Sequence, residues 1–167
     1  MRGLAVRFLN ACDARGIMAV TAESCTGGLI AGVLTDVPGS SSVVDRGFVT
    51  YSNEAKTEML GISAETLAAH GAVSRETALQ MAEGALARSR AGLALSVTGI
   101  AGPEGGSADK PVGLVWFGVA VSGGSTQAER RVFPNRGRAF IRREAVRTAL
   151  ELGLAALGEA QTSAGRP

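Results

Sequence analysis

Aromatic residues are scarce, at 4% of a 167-residue chain. The protein is therefore short of the stacking platforms on which proteins usually hold single-stranded nucleic acid. Histidine occurs once, as His70, and cysteine twice, as Cys12 and Cys25. That excludes a disulfide framework and a Cys/His zinc site of the usual spacing, so no metal and no cofactor are expected. No apolar run approaches the roughly 18 residues of a membrane span. Residues 1–7 lack the apolar stretch of a signal peptide and read as the start of a helix. A large charge of one sign is missing too. The formal net charge is +2, too small by itself to imply a nucleic-acid partner. The expectation is a soluble, cytoplasmic protein with neither nucleic acid nor membrane as partner.

Lysine is the most telling shortage. Of 17 basic residues only two are lysines, Lys56 and Lys110, and the rest are arginines. Lysine can give up its proton near neutral pH in a suitable environment, whereas arginine cannot. Both lysines are therefore candidates for chemistry, with chance as the competing explanation.

Hydrophobic residues make up 46% and charged residues 19%, enough for a sizeable core and too apolar for disorder. The length suits one domain, expected over 1–160, with a frayed tail over 161–167. Apolar spacing predicts a helix over 2–15, ended by Gly16, and a buried strand over 17–21. A helix over 26–35 and a loop over 38–42 follow. Next come a strand over 46–51 and short helices over 53–60 and 63–69, with Ser63 as a cap and His70-Gly71 as the stop. A longer helix is expected over 74–88 and a strand over 93–98. A glycine-rich loop over 99–111 leads into two hairpin strands, 112–121 and 127–133, and a last helix over 138–157. Strands alternating with helices, then a hairpin, predict a three-layer α/β/α sandwich with a mixed, mostly parallel sheet. Ligands in such folds sit beyond the carboxyl ends of the strands. Three polar or glycine-bearing segments follow strand ends here, around Ser24, Lys56 and Gly99, and the fold reading brings them to one rim.

The first segment, Glu23-Ser24-Cys25-Thr26-Gly27-Gly28, joins a strand to a helix. Amides at a helix start are unpaired and carry the positive end of the dipole. Gly27 and Gly28 let a ligand approach them, so the turn suits a phosphate or the oxyanion of acyl transfer. Ser24 stands where a nucleophile would. Equally, Ser24 or Thr26 is an ordinary N-cap. The Gly-Lys-Ser/Thr ending of a P-loop is missing, and Ala22 and Thr26 stand where a nucleophile elbow has glycines. A serine nucleophile needs a base. His70 reads as a helix C-terminal residue, which argues against a Ser-His-Asp triad. Lys56 lies about one turn into a helix that Asn53 can cap. There the dipole disfavours a cation and lowers its pKa, giving the neutral amine of a Ser-Lys dyad. A solvated surface lysine is the alternative. Tyr51, the only tyrosine, could orient the amine or relay a proton. A Cys25 nucleophile lacks a histidine partner.

In the third segment, Thr98 and the amides near Gly99 and Gly102 suit a phosphate or ribose, with Lys110 as a point charge. A flexible loop is the alternative. Seven basic residues crowd into 130–147. Most read as a solvated face, though Arg138 and Arg142 share a helix face at i, i+4 and one arginine could clamp a phosphate.

Thr21-Ala22-Glu23-Ser24-Cys25-Thr26-Gly27-Gly28, Arg46-Gly47-Phe48-Val49-Thr50-Tyr51-Ser52-Asn53-Glu54-Ala55-Lys56 and Thr98-Gly99-Ile100-Ala101-Gly102-Pro103-Glu104-Gly105-Gly106 closely resemble the CinA C-terminal domain family. His70-Gly71-Ala72-Val73-Ser74 and Lys110-Pro111-Val112-Gly113 fit it as well, and the resemblance covers about residues 5–157. The stand-alone enzymes of the family are nicotinamide-nucleotide amidases. The resemblance implies an α/β/α fold with a mixed sheet and metal-free hydrolysis of nicotinamide mononucleotide (NMN) to nicotinate mononucleotide and ammonia. It also implies a Ser24–Lys56 pair assisted by Tyr51. Thr98 and the glycine-rich loop would line the site, and an arginine beside the last helix would bind substrate. Arg136-Gly137-Arg138 is one residue longer than the family pattern, and Arg138 is the better match. The oxyanion is expected at the Gly27-Gly28 helix start, Thr26 and Asn53 are expected among the substrate-binding residues, and Glu23 is the candidate to face the cationic ring. A homodimer is compatible with this reading. The competing class is a nucleotide-binding regulatory module without turnover, linked to competence or DNA damage.

Overall fold

The computed structural model describes residues 1–158. The expected tail over 161–167, and the last two residues of the expected domain, lie outside the described residues. The elements run α1 (Arg2–Asp13), β1 (Ala19–Glu23), α2 (Leu29–Thr35), β2 (Val44–Val49), α3 (Asn53–Leu60), α4 (Ala64–His70), α5 (Arg75–Ala87), β3 (Leu93–Gly99), β4 (Leu114–Val121), β5 (Gln127–Val132) and α6 (Arg138–Ala156).

The sheet order is β2-β1-β3-β4-β5. β1 pairs in parallel with β2 and β3, β4 runs antiparallel to β3, and β5 runs antiparallel to β4. Two of four pairings are thus parallel, yet four of five strands point the same way. The alternation of side chains along each strand sorts the core into two halves. Leu93, Leu95 and Val97 of β3 join Phe117, Val119, Ile30, Leu34, Phe8 and Leu150 under α1, α2 and α6. Ala94 of β3 joins Val20, Ala22, Leu60, Met81, Ala82 and Ala120 under α3 and α5. The second half is built from smaller side chains, so α5 lies close on the sheet. Gly118 of β4 is in the way of nothing only because it has no Cβ: one would run into the Ala78 carbonyl of α5.

Burial also explains where the strands lie. All five residues of β1 are buried, as befits a central strand covered on both faces. That strand is 19–23 rather than 17–21, which carries Glu23 into the sheet. β2 is 44–49 rather than 46–51, leaving Thr50 and Tyr51 beyond its end. α2 starts at Leu29 rather than Thr26, because Ser24 to Gly28 form turns with Gly27 and Gly28 at φ 59° and 92°. Those positive angles favour glycine. β1, β2 and β3 all end at one rim. There the Ser24 N–H donates to the Val97 carbonyl at 2.9 Å and the Thr50 N–H to the Glu23 carbonyl at 2.8 Å. The chain leaves β1 toward β2 on one face and returns to β3 over the other. The Ser24 turn therefore lies at a topological switch point.

Candidate active site

Ser24 and Lys56, 32 residues apart in sequence, meet at this rim, with Nζ 3.1 Å from Oγ. α3 positions the lysine. Its first turn is capped by Ser52, whose Oγ accepts from the Ala55 N–H at 3.0 Å. Asn53, expected as the cap, is instead the first helical residue and is exposed. Lys56 is fully buried, as is Leu60 one turn on. Its Nζ donates to the Thr50 carbonyl at 2.9 Å and lies 3.5 Å from the Ser52 carbonyl. No carboxylate lies within ion-pair distance of it among the described residues. Burial therefore acts unopposed at neutral pH and holds the Lys56 pKa below the ordinary 10.5. A thiolate at Cys25 would raise it, but burial pushes the Cys25 thiol up to about 12, so that group stays neutral. Two carbonyls can only accept, so they take two Nζ hydrogens. The position facing Ser24 holds the lone pair once the amine is neutral. The pair is arranged to draw a proton from Ser24. Cys25, whose thiol burial keeps protonated, is not.

The Ser24 turn is pinned from two sides. Glu23 lies on the α2 face of β1 and is fully buried. Its carboxylate accepts from the Gly28, Ile30 and Ala31 N–H groups at 3.1, 3.0 and 2.9 Å. It is the cap of α2, with both oxygens in use by these amides, whereas the sequence reading set it toward a cationic ring. The Gly27 N–H donates to the Ser24 carbonyl at 3.0 Å. The amides expected to hold an oxyanion, at Gly27 and Gly28, are thus both occupied. From the other side, Arg142 of α6 donates from Nε to the Cys25 carbonyl at 3.1 Å and from Nη2 to the Thr26 carbonyl at 2.9 Å. Among the described residues the buried Thr26 and Thr50 hydroxyls have no hydrogen-bond partner.

Tyr51 is 60% exposed, and its hydroxyl accepts from Arg138 Nη2 at 2.7 Å rather than meeting Lys56. Arg138 Nη1 also donates to the Gly102 carbonyl at 3.0 Å. One guanidinium thus ties the glycine-rich loop to the end of β2. The Thr98 hydroxyl, on the α5 face of β3, donates to the Ala72 carbonyl at 2.7 Å. Gly99 ends β3 within the β4 pairing. Lys110 sits at the loop's far side, with Nζ donating to the His70 carbonyl at 2.8 Å, so it closes the end of α4. The rim thus brings together Ser24, Thr26, Lys56, Tyr51, Gly102 and Arg138. Glu23, Asn53 and Lys110 serve the scaffold. Among the described residues no group of three or more His, Cys, Asp or Glu side chains is placed to hold a metal, and no helix is long and apolar enough to cross a membrane. A 430 Å³ groove between β4, β5 and α6 lies at the opposite rim and holds none of the residues selected from the sequence.

Sequence reasoning missed Arg142. Its i, i+4 relation to Arg138 was visible, but its partners are 117 and 116 residues away. It missed Glu23 as a cap because the carboxylate lies five residues before the first amide it serves.

The family model of the CinA C-terminal domain matches residues 2–157. The nicotinamide-nucleotide amidohydrolase PncC of Escherichia coli (strain K12) is 53% identical over 142 residues, which cover 85% of this chain and 86% of that protein. A CinA-like protein of Chloroherpeton thalassium is 62% identical over 108 residues, 65% of this chain and 26% of the longer protein. The crystal structure of the competence/damage inducible protein CihA from Agrobacterium tumefaciens superposes with a TM-score of 0.91 at 57% identity, covering 95% of both chains.

Proposed function

The chain belongs to the CinA C-terminal domain family, and on that premise we propose that it is a nicotinamide-nucleotide amidohydrolase acting through an acyl-enzyme on Ser24. The observation that carries the mechanism is the 3.1 Å approach of Ser24 Oγ to a buried lysine with no carboxylate partner. Ser24 Oγ attacks the carboxamide carbon of NMN while its proton passes to Lys56 Nζ. The new C–O bond leaves a tetrahedral oxyanion. Lys56, now an ammonium, returns the proton to the departing nitrogen. The C–N bond breaks and ammonia leaves. Water then attacks the ester carbon and gives a proton to Lys56. The C–O bond to Ser24 breaks, Ser24 Oγ takes that proton back, and nicotinate mononucleotide is released. A lysine held below its ordinary pKa suits both directions of transfer.

The remaining rim residues fit the rest of the substrate. Arg138 is exposed and stands where Tyr51 and Gly102 meet, which suits a phosphate. Tyr51 offers an exposed aromatic face to the cationic pyridinium, the part expected of Glu23. A cytoplasmic setting belongs to this reading, supported by two free, buried thiols.

Purified protein incubated with NMN is expected to release ammonia and nicotinate mononucleotide in equal amounts, at a rate unchanged by saturating EDTA. No release at all would favour the binding-module reading. A rate lost to EDTA and restored by a divalent metal would overturn the metal-free mechanism.

A further inference from the structure

Arg142 makes two hydrogen bonds, and neither goes to a side chain: it holds the carbonyls of the two residues that follow Ser24. A trans peptide points its N–H opposite to its C=O. Fixing the Cys25 carbonyl therefore fixes the direction of the Thr26 N–H. Fixing the Thr26 carbonyl fixes the Gly27 N–H, which donates to the Ser24 carbonyl. That carbonyl shares its peptide with the Cys25 N–H. One guanidinium thus sets, directly or through one hydrogen bond, the orientation of both amides after Ser24. Those two are also the amides left over. Gly27, Gly28, Ile30 and Ala31 all donate to Ser24 or Glu23, while among the described residues the Thr26 N–H has no hydrogen-bond partner and the Cys25 N–H only its own side chain.

We propose that Arg142 is a positioning residue that holds the Cys25 and Thr26 amides as the oxyanion donors of the Ser24 reaction. This rests on the amidohydrolase reading above. Preorganised donors at this point act only as charge develops on the amide oxygen. Arg142 is suited to the task because its planar fork spans two adjacent carbonyls, which a lysine ammonium cannot do in one fixed geometry. Its neighbour Gly27 leaves room for it: a Cβ there would stand 3.2 Å from Nη2.

The test compares wild type, Arg142→Met and Arg142→Lys on NMN and on its thioamide analogue, with binding of nicotinate mononucleotide measured alongside. Sulfur fits an oxygen-sized donor pair poorly, so wild type strongly prefers the amide. Arg142→Met is expected to lose about 10²–10³-fold in kcat, the cost of an oxyanion donor. KM and product affinity stay within about threefold, and the amide-to-thioamide rate ratio falls toward one. Arg142→Lys recovers at most about tenfold of that loss. An unchanged ratio, or a raised KM at full kcat, would make Arg142 a substrate clamp and overturn the proposal. If Arg142→Met does not fold, Arg142→Lys carries the same comparison. Failure of both to fold would make the arginine a fold clamp and also overturn it. Inactive wild type would instead sink the amidohydrolase reading itself.

Discussion

The turn after β1 and the loop after β3 both follow strand ends at the same rim, both are rich in glycine, and each has a lysine near it. Their physical states differ. Around Ser24 the polar groups are held from within: Glu23 takes three N–H groups and Arg142 takes two carbonyls. The lysine that meets this turn is fully buried. Around residues 99–113 the inner ties are made by the backbone, from the Gly113 N–H to the Ile100 carbonyl and from the Ser107 N–H to the Lys110 carbonyl, while the charged side chains reach outward, from Arg138 to the Gly102 carbonyl and from Lys110 to the His70 carbonyl. Lys110 is partly exposed and its Nζ bonds the end of a helix. On the proposed mechanism the buried lysine carries the proton, and the partly exposed one is a strut.

The largest effect that would test this division is at the nucleophile. Ser24→Ala is expected to lower ammonia release by about three orders of magnitude or more, while Cys25→Ala stays within about tenfold. The reverse order would move the nucleophile to Cys25. Next come the lysines. Lys56→Arg keeps the charge and loses the base, because a guanidinium stays protonated. It is expected to be nearly as inactive as Lys56→Ala, whereas Lys110→Arg keeps turnover within about tenfold. Equal losses in the two arginine variants would erase the contrast between the regions.

A smaller effect concerns stability. Glu23→Ala strips three bonds from a buried carboxylate and leaves α2 uncapped, at a cost of about 2–4 kcal/mol. Lys110→Ala removes one partly exposed bond and costs about 0.5–1 kcal/mol. Thermal melting separates them, since 1 kcal/mol is about 2–4 °C in a chain of this size. Similar shifts would mean that the turn is no more rigidly held than the loop. The smallest effect is a slope. Lys56 has a folded pKa below its unfolded 10.5, so between the two values the unfolded chain holds more protons and stability rises with pH. Below the folded pKa the burial penalty is constant and complete. Wild type should therefore gain in Tm relative to Lys56→Met as pH climbs toward 10.5. A flat difference across that window would mean that burial costs the ammonium nothing.

Much of this was legible from the chain because local rules and tertiary packing agree. α3 (Asn53–Leu60), α4 with its Ser63 cap and the β4–β5 hairpin follow from spacing and local signals, although the cap of α3 is Ser52 and not Asn53. Strand ends sharing a rim and the scarcity of lysine made Ser24 and Lys56 candidates, and the family resemblance selected the pair over a capping serine and a solvated lysine. What escaped depends on partners far away in sequence. β1 lies two residues later than its apolar run implies, because sheet pairing with β2 and β3 extends to Glu23. Arg142 looked like one more solvated arginine until α6 packed beside the Ser24 turn. Tyr51 read as an aid to Lys56, yet the end of β2 turns it outward to Arg138.

The central claim is that Lys56 is neutral often enough near physiological pH to take a proton from Ser24. A chain with two lysines allows this to be measured in isolation. Protein labelled with ¹³C at lysine Cε gives two side-chain signals, and Lys110→Arg assigns them. Followed by NMR across a pH titration, the Lys56 signal is expected to titrate clearly below 10.5, with kcat/KM for NMN rising through the same midpoint. A Lys56 signal that titrates at 10.5 or above would contradict the account.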